Sequence, residues 1–384
     1  MKKIKVMSIF GTRPEAIKMA PLVQELANTE GIESLCCVTA QHREMLDSVL
    51  ESFHIKPEYD LNIMQPRQTL SMIISKTLQG METVFEEAKP DLVLVHGDTT
   101  TTLAGAMAAM LHQIPVGHVE AGLRTYDKAS PFPEELNRTL VGDIAEMHFS
   151  PTQANADNLA REAVTGDVFI TGNTVIDAMK TTVSSDFVFE NETLNKLDYS
   201  KKVIVMTCHR RENYGEPMVA IMRAVRRVAE AHPEVTIVYP VHLSPVVREC
   251  ASGHLSGLQN VHLIDPLDVE QMHNLMARCY MVMTDSGGLQ EEAPAMGKPV
   301  LVLRKETERP EAVVAGTVAL AGVDEENIVR LAEELLTDDV VYERMAKAVN
   351  PYGDGNACSR IAQAIAWKFG LQEQKPADFV PVVR

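Results

Sequence analysis

The feature that most constrains this chain is a rhythm of two alternating patterns. Short apolar runs that stop at turn residues are followed by longer stretches carrying apolar side chains at helical spacing. In the first half the runs occupy residues 4–10, 35–39, 92–96, 116–119, 147–150 and 168–171, with helical stretches at 14–28, 43–53, 69–88 and 100–112. Strands that are apolar along their whole length are buried on both faces, and a helix between successive strands makes them parallel. Over residues 181–200 the rhythm lapses into a polar, aperiodic stretch containing Ser184-Ser185-Asp186 and Glu190-Asn191-Glu192-Thr193, which suits a connection between domains. It then restarts with runs at 203–207, 236–240, 261–264, 280–284 and 300–303 and helices near 217–232, 270–278 and 289–296. A length of 384 residues exceeds what one hydrophobic core usually organises. The expected fold class is α/β, with two Rossmann-like doubly wound domains at residues 1–180 and 200–353. A closing segment, 354–384, carries a last helix at 356–369 after the turn cluster Pro351-Tyr352-Gly353-Asp354-Gly355. Ligands of open parallel sheets bind at the carboxyl ends of the strands, so the site is expected in a cleft between the two domains.

Charge removes several classes of partner. Lys and Arg total 36 against 53 Asp and Glu, and a net charge of −17 repels a phosphate backbone, so nucleic acid is not expected. No run approaches the ~18 apolar residues of a membrane span, and the apolar run after the basic start is too short for a signal peptide. The six cysteines lack paired spacing and read as reduced, mostly buried thiols of a cytoplasmic protein. Histidines and cysteines fall in no metal-ligand spacing, so no metal is expected.

The chemically suggestive segments all sit where a strand ends. The first run leads into Gly11-Thr12-Arg13-Pro14-Glu15-Ala16-Ile17-Lys18, where a helix amino end with Arg13 and Lys18 suits an anion, or is simply a turn with solvated basic residues. Neither a Walker loop nor G-x-G-x-x-G is present. Asp285-Ser286-Gly287-Gly288 offers small residues where backbone N–H groups can close on a diphosphate, with Glu292 able to accept ribose hydroxyls; a capped turn reads equally well. Asp98, Glu120 and the pair Glu134-Glu135 follow other runs, and carboxylates converging from neighbouring strand ends can serve as acid and base. Asp98 also suits a helix cap, and Glu134 and Glu135 suit a first helical turn. His209, beside Arg210 and Arg211, tends toward its neutral form unless an anion is near, and against phosphate it can donate a hydrogen bond or a proton.

Taken together, Gly11 to Lys18, Thr39-Ala40-Gln41-His42-Arg43, Val95-His96-Gly97-Asp98-Thr99, His118-Val119-Glu120-Ala121-Gly122, His209-Arg210-Arg211-Glu212-Asn213 and Thr284-Asp285-Ser286-Gly287-Gly288 closely resemble the non-hydrolysing UDP-N-acetylglucosamine 2-epimerases. The resemblance covers nearly the whole chain. It implies a glycosyltransferase-B-like arrangement with the C-terminal helix packed back on the first domain, and interconversion of UDP-GlcNAc and UDP-ManNAc without a cofactor. The implied route eliminates UDP to a 2-acetamidoglucal and re-adds it. Asp98, Glu120, Glu134 and His209 are the implied catalytic residues; Arg13, Lys18, Ser286, Gly287, Glu292 and Arg309 are the implied UDP ligands. Gln41, Glu44, Arg67, Arg210 and His242 match a regulatory UDP-GlcNAc site, with Glu44 standing where strongly regulated members carry Gln. The resemblance also implies a homodimer.

Overall fold

The computed structural model describes residues 3–381, so residues 1–2 of the basic start and residues 382–384 of the closing segment lie outside it. The chain divides into two compact units: one runs to Thr181 and resumes over Tyr352–Val380, the other holds Thr182–Pro351 and takes in Pro381.

The first unit is built on seven parallel strands: β1 (Ile4–Phe10), β2 (Ile32–Val38), β3 (Tyr59–Asp60), β4 (Leu92–His96), β5 (Val116–Val119), β6 (Met147–Ser150) and β7 (Asp167–Ile170), ordered β3-β2-β1-β4-β5-β6-β7. The order reverses between β1 and β4, which opens a crevice at their carboxyl ends. Alternation along β1 feeds two cores. Val6 and Phe10 pack with Met19, Leu22 and Leu26 on one face, while Met7 and Ile9 pack with Met81, Phe85 and Ala106 on the other.

The last helix, Ala357–Lys368, closes the first of these cores with Ile361 and Ile365. Its amino end is fixed by Asp177, whose carboxylate accepts the N–H groups of Ala357 (3.1 Å) and Cys358 (3.0 Å). Lys180 donates to the Gly355 carbonyl, and Asn173 N–H donates to the Tyr352 carbonyl at 2.6 Å. Past the helix, Phe379 N–H donates to Ile170 (2.6 Å) and Ile170 N–H to Asp378 (2.9 Å), so the chain end covers the outer edge of β7.

The second unit has six parallel strands, β8 (Val203–Thr207), β9 (Thr236–Pro240), β10 (Val261–Ile264), β11 (Met281–Thr284), β12 (Val300–Val302) and β13 (Val318–Leu320), ordered β10-β9-β8-β11-β12-β13. Its crevice lies between the ends of β8 and β11. The polar stretch expected as a connection is packed here. Phe189 and Leu194 are buried, and Arg278 lies over the rings of Phe189 (5.0 Å) and Tyr199 (5.8 Å). Three aromatic residues in an otherwise polar run, Phe187, Phe189 and Tyr199, are what seat it.

Candidate active site

In the first unit, β1 exits through Gly11. A Cβ there would lie 1.9 Å from Thr39 Oγ1 and 2.9 Å from Thr101 Oγ1, so only glycine lets β1 leave past the end of β2. The helix Arg13–Asn28 follows, and its amino end differs from the expected open anion site. Glu15, 2% exposed, accepts the N–H groups of Gly11 (3.2 Å) and Thr12 (2.8 Å) and the hydroxyls of Thr99 (2.7 Å) and Thr102 (3.0 Å). A carboxylate of the chain itself fills the place of an external anion, because it sits one turn into the same helix. The neighbouring Arg13 is half-buried and has no polar partner among the described residues.

Lys18 turns to Glu120, donating to its carboxylate. Glu120 leaves β5 with φ +62° and also accepts from Asn173 Nδ2 at 2.9 Å, with His96 Nε2 3.6 Å away. Burial pushes the Glu120 acid up, but the Lys18 ammonium and His96 outweigh it and hold the carboxyl well below its ordinary range. Asp98 leaves the adjacent β4 and takes Arg138 Nε (2.8 Å) and Nη2 (2.6 Å) on one oxygen. The turn before it is set by Gly97, φ +66°, whose carbonyl accepts from the buried His118 ring at 2.7 Å.

Glu134 opens the helix Glu134–Ile144, half-buried and with no polar partner among the described residues. Its neighbour Glu135 is the buried one, accepting from Thr125 N–H (3.0 Å), Tyr126 N–H (2.8 Å) and Arg138 Nη1 (3.2 Å). Of the two adjacent acids, only Glu135 ties a loop. Gln41 accepts from Thr101 Oγ1 at 2.9 Å, while Glu44 and Arg67 are exposed, Arg67 with φ +56°.

In the second unit, His209 and Arg210 leave β8 opposite Asp285-Ser286-Gly287-Gly288 at the end of β11. Asp285 is wholly buried and accepts the N–H groups of His209 (2.8 Å) and Arg210 (2.7 Å) on one oxygen. The His209 ring stacks on His242 at 5.4 Å between centroids. Burial lowers the His209 pKa most; Asp285 opposes that, and His242 and Arg210 add to it. A side chain placed on Gly287 would meet the guanidinium ends of Arg210 (3.8 Å) and Arg309 (3.9 Å), so two cations converge on the glycine loop. Arg309 is itself held by the buried Glu291. Glu292 lies within ion-pair reach of His273 (3.3 Å), and a Cβ on Gly288 would lie 3.0 Å from its Oε1. Arg210, which the resemblance matches to the regulatory group, also reaches Gly287 beside Arg309. Asp285 stood in a motif read from the sequence but was given no role there, and Asn173, just past the end of β7, stood in none.

Cys36, Cys37, Cys208, Cys279 and Cys358 are buried thiols and Cys250 is partly so, none in a disulfide. Among the described residues, no helix is long and apolar enough to cross a membrane, and no His, Cys, Asp and Glu side chains are grouped to hold a metal ion.

Acids at adjacent strand ends in one parallel-sheet unit, and two arginines at a glycine loop in the other, define a two-unit α/β protein. Its matches give that class an identity. The family model of UDP-N-acetylglucosamine 2-epimerase matches residues 24–366. The UDP-N-acetylglucosamine 2-epimerase of Bacillus subtilis (strain 168) is 56% identical over 380 residues, 99% of each chain. A crystal structure of UDP-GlcNAc 2-epimerase from Neisseria meningitidis bound to UDP-GlcNAc superposes with a TM-score of 0.86 at 47% identity, covering 94% of this chain and 99% of that one. The S. aureus MnaA structure with UDP gives 0.87 at 52% identity, covering 99% and 100%. The chain belongs to the UDP-N-acetylglucosamine 2-epimerase family, and its fold class is the glycosyltransferase-B-like one of these neighbours.

Proposed function

We propose that this protein interconverts UDP-GlcNAc and UDP-ManNAc without hydrolysis. The C2 proton passes to a carboxylate while the C1–O electron pair leaves with UDP, giving 2-acetamidoglucal; re-addition with protonation at the opposite face of C2 completes the epimerisation. The observation that carries this reading is the pair of carboxylates at the adjacent ends of β4 and β5, each under a different cation: Asp98 under Arg138, Glu120 under Lys18. The C2–H of a closed pyranose has no carbonyl beside it and resists removal by any carboxylate. Once C1–O stretches, C2 adjoins a developing cation, and a carboxylate held as the anion is a sufficient base. Glu120, kept ionised by Lys18, fits that demand. The lever is then charge stabilisation on the departing UDP, where each placed donor is typically worth ~10²–10³ in rate. Arg309, Arg13, Ser286, Gly287 and His209 are assigned to that end of the substrate, and Glu292 to the ribose. UDP-GlcNAc and UDP in the related structures support this choice of ligand.

The reaction is redox-neutral and each proton has a side chain to receive it, so it requires no nicotinamide. We extend the reading to a cytoplasmic homodimer that supplies ManNAc for bacterial surface polysaccharides. Gln41, Glu44, Arg67, Arg210 and His242 form its proposed regulatory group for a second UDP-GlcNAc.

Proton NMR of the protein with UDP-GlcNAc in D₂O tests the reaction. UDP-ManNAc should appear with deuterium at C2 in both sugars while the nucleotide-sugar pool persists. Accumulation of free ManNAc and UDP would show hydrolysis instead. Asp98→Asn and Glu120→Gln should each slow deuterium entry by at least ~10² with UDP binding retained, and near-native exchange in both would sink the assignment.

A further inference from the structure

One atom of the second unit is left without an occupation. Asp285 is wholly buried, and its Oδ2 is saturated by N–H groups of His209 (2.8 Å), Arg210 (2.7 Å) and Asn213 Nδ2 (3.1 Å). Its Oδ1, also buried, makes no hydrogen bond and lies 3.4 Å from Nδ1 of His209. No Lys or Arg side chain among the described residues forms an ion pair with Asp285. A buried carboxylate with a spare oxygen is costly, and a structure keeps it where something remains to be gained. The loose 3.4 Å contact is the form a catalytic hydrogen bond takes before ligand arrives.

The surroundings decide the protonation state. His242, from the end of β9, stacks on His209 with the rings 10° apart, and Arg210 adjoins it in its own loop. Behind Asp285 stands the Cys208 thiol, which burial and then the Asp285 carboxylate beside it push up and keep protonated; the Tyr239 hydroxyl donates to the Cys208 carbonyl at 2.6 Å. Burial above all, with His242 and Arg210 adding to it, holds the His209 pKa below its ordinary value against the pull of Asp285. A diphosphate brings negative charge to the other side of the ring and reverses that balance.

We propose that Asp285 is the positioning residue for His209: it holds a proton on Nδ1 and aims Nε2 at the diphosphate, so that binding of UDP draws a proton from solvent onto Nε2. The inference rests on the reading above that His209 faces the leaving group. The imidazolium then lies between two anions, and charge growing on UDP as C1–O breaks meets a cation already in place. A carboxylate that only shaped the loop would satisfy the same N–H groups without coupling UDP to a proton.

Calorimetric titration of the full-length protein with UDP, near neutral pH in buffers of different ionisation heat, reads the coupling. The wild type should take up a fraction of a proton approaching one per UDP. Asp285→Asn keeps the shape and should bind UDP with uptake reduced at least about fivefold, as should His209→Gln. Uptake lost in His209→Gln but intact in Asp285→Asn would overturn the role of Asp285, and no uptake in the wild type would overturn the coupling. Nitrogen-15 histidine NMR of the wild type gives a second reading that needs no variant to fold: the Nδ1–H tautomer of His209 is expected, and the Nε2–H tautomer would refute the proposal. Deuterium entry at C2 on the same preparations separates the two levels. Exchange without proton uptake sinks this inference alone, whereas absence of exchange sinks the functional reading beneath it.

Discussion

Asp98 and Glu120 leave neighbouring strands, yet their settings depend on side chains far away in sequence. Arg138 lies 40 residues beyond Asp98, and Lys18 lies 102 before Glu120. The residue types and their positions at strand ends were legible in the chain; the cations that tune them were not, because nothing local links them. His118 shows how such a partner works. It is 1% exposed, and its ring donates to the Gly97 carbonyl, fixing the turn that presents Asp98. Burial above all, with the His148, Arg124 and His96 side chains adding to it against the opposing Gly97 bond, lowers its pKa from 6.5 to about 3. The folded state therefore keeps His118 neutral where the unfolded chain binds a proton. Stability from this group is complete above pH 6.5 and is lost as pH falls toward 3, at up to about 1.4 kcal/mol per pH unit. His118→Gln keeps a donor for Gly97 but does not titrate, so its Tm should fall less steeply than the wild type's below pH 6.5. Parallel Tm profiles for the two proteins would refute this account.

At the scale of elements, periodicity located most of the long ones. The expected strands at residues 4–10, 92–96, 116–119 and 147–150 and the helix at 100–112 appear within a residue of their expected ends. The strand expected at 35–39 begins at Ile32, since Ile32-Glu33-Ser34 is drawn into the sheet by its register with Ile4-Lys5-Val6. Strand β3 has only Tyr59 and Asp60, and β13 only three residues, too short for any pattern to announce them. The last helix was visible as a helix, but its docking depends on Asp177, which reads as an ordinary first-turn charge in the helix Thr174–Thr182. Burial raises the pKa of Asp177 against the pull of the Cys358 and Ala357 N–H groups. Asp177→Ala would strip those two N–H groups of their acceptor and cost about 1–2 kcal/mol, the worth of a helix cap. Asp177→Asn retains an acceptor and should lose clearly less. Equal unfolding midpoints in denaturant for wild type and Asp177→Ala would show that the helix is held by its apolar face alone.

The whole molecule is not two beads in sequence, because the chain passes from the first unit to the second at Thr181 and returns at Tyr352. The return completes a core as well as a tail. Ile361, Ala362, Ala364 and Ile365 are buried in the same cluster as Phe10, Met19, Leu22 and Leu26. Burial of each large aliphatic side chain is worth about 1.5–3 kcal/mol, so losing this helix removes several kcal/mol from a unit whose whole stability is of order 5–15 kcal/mol. The edge of β7 would also lose its cover from Asp378 and Phe379. Ending the chain after Pro351 should therefore unfold the first unit and spare the second, whose core of Ile204, Met206, Ile221, Ile237 and Met283 contains none of the described residues beyond 351. Hydrogen exchange followed by mass spectrometry separates the two: amides of β1, β2 and β4 should exchange freely in the shortened protein while those of β8, β9 and β11 stay protected. Retained protection in β1 would mean that the first sheet and its remaining helices suffice alone. Protection lost equally in β8 would mean that the second unit also depends on the returning segment, through links that its own core does not contain.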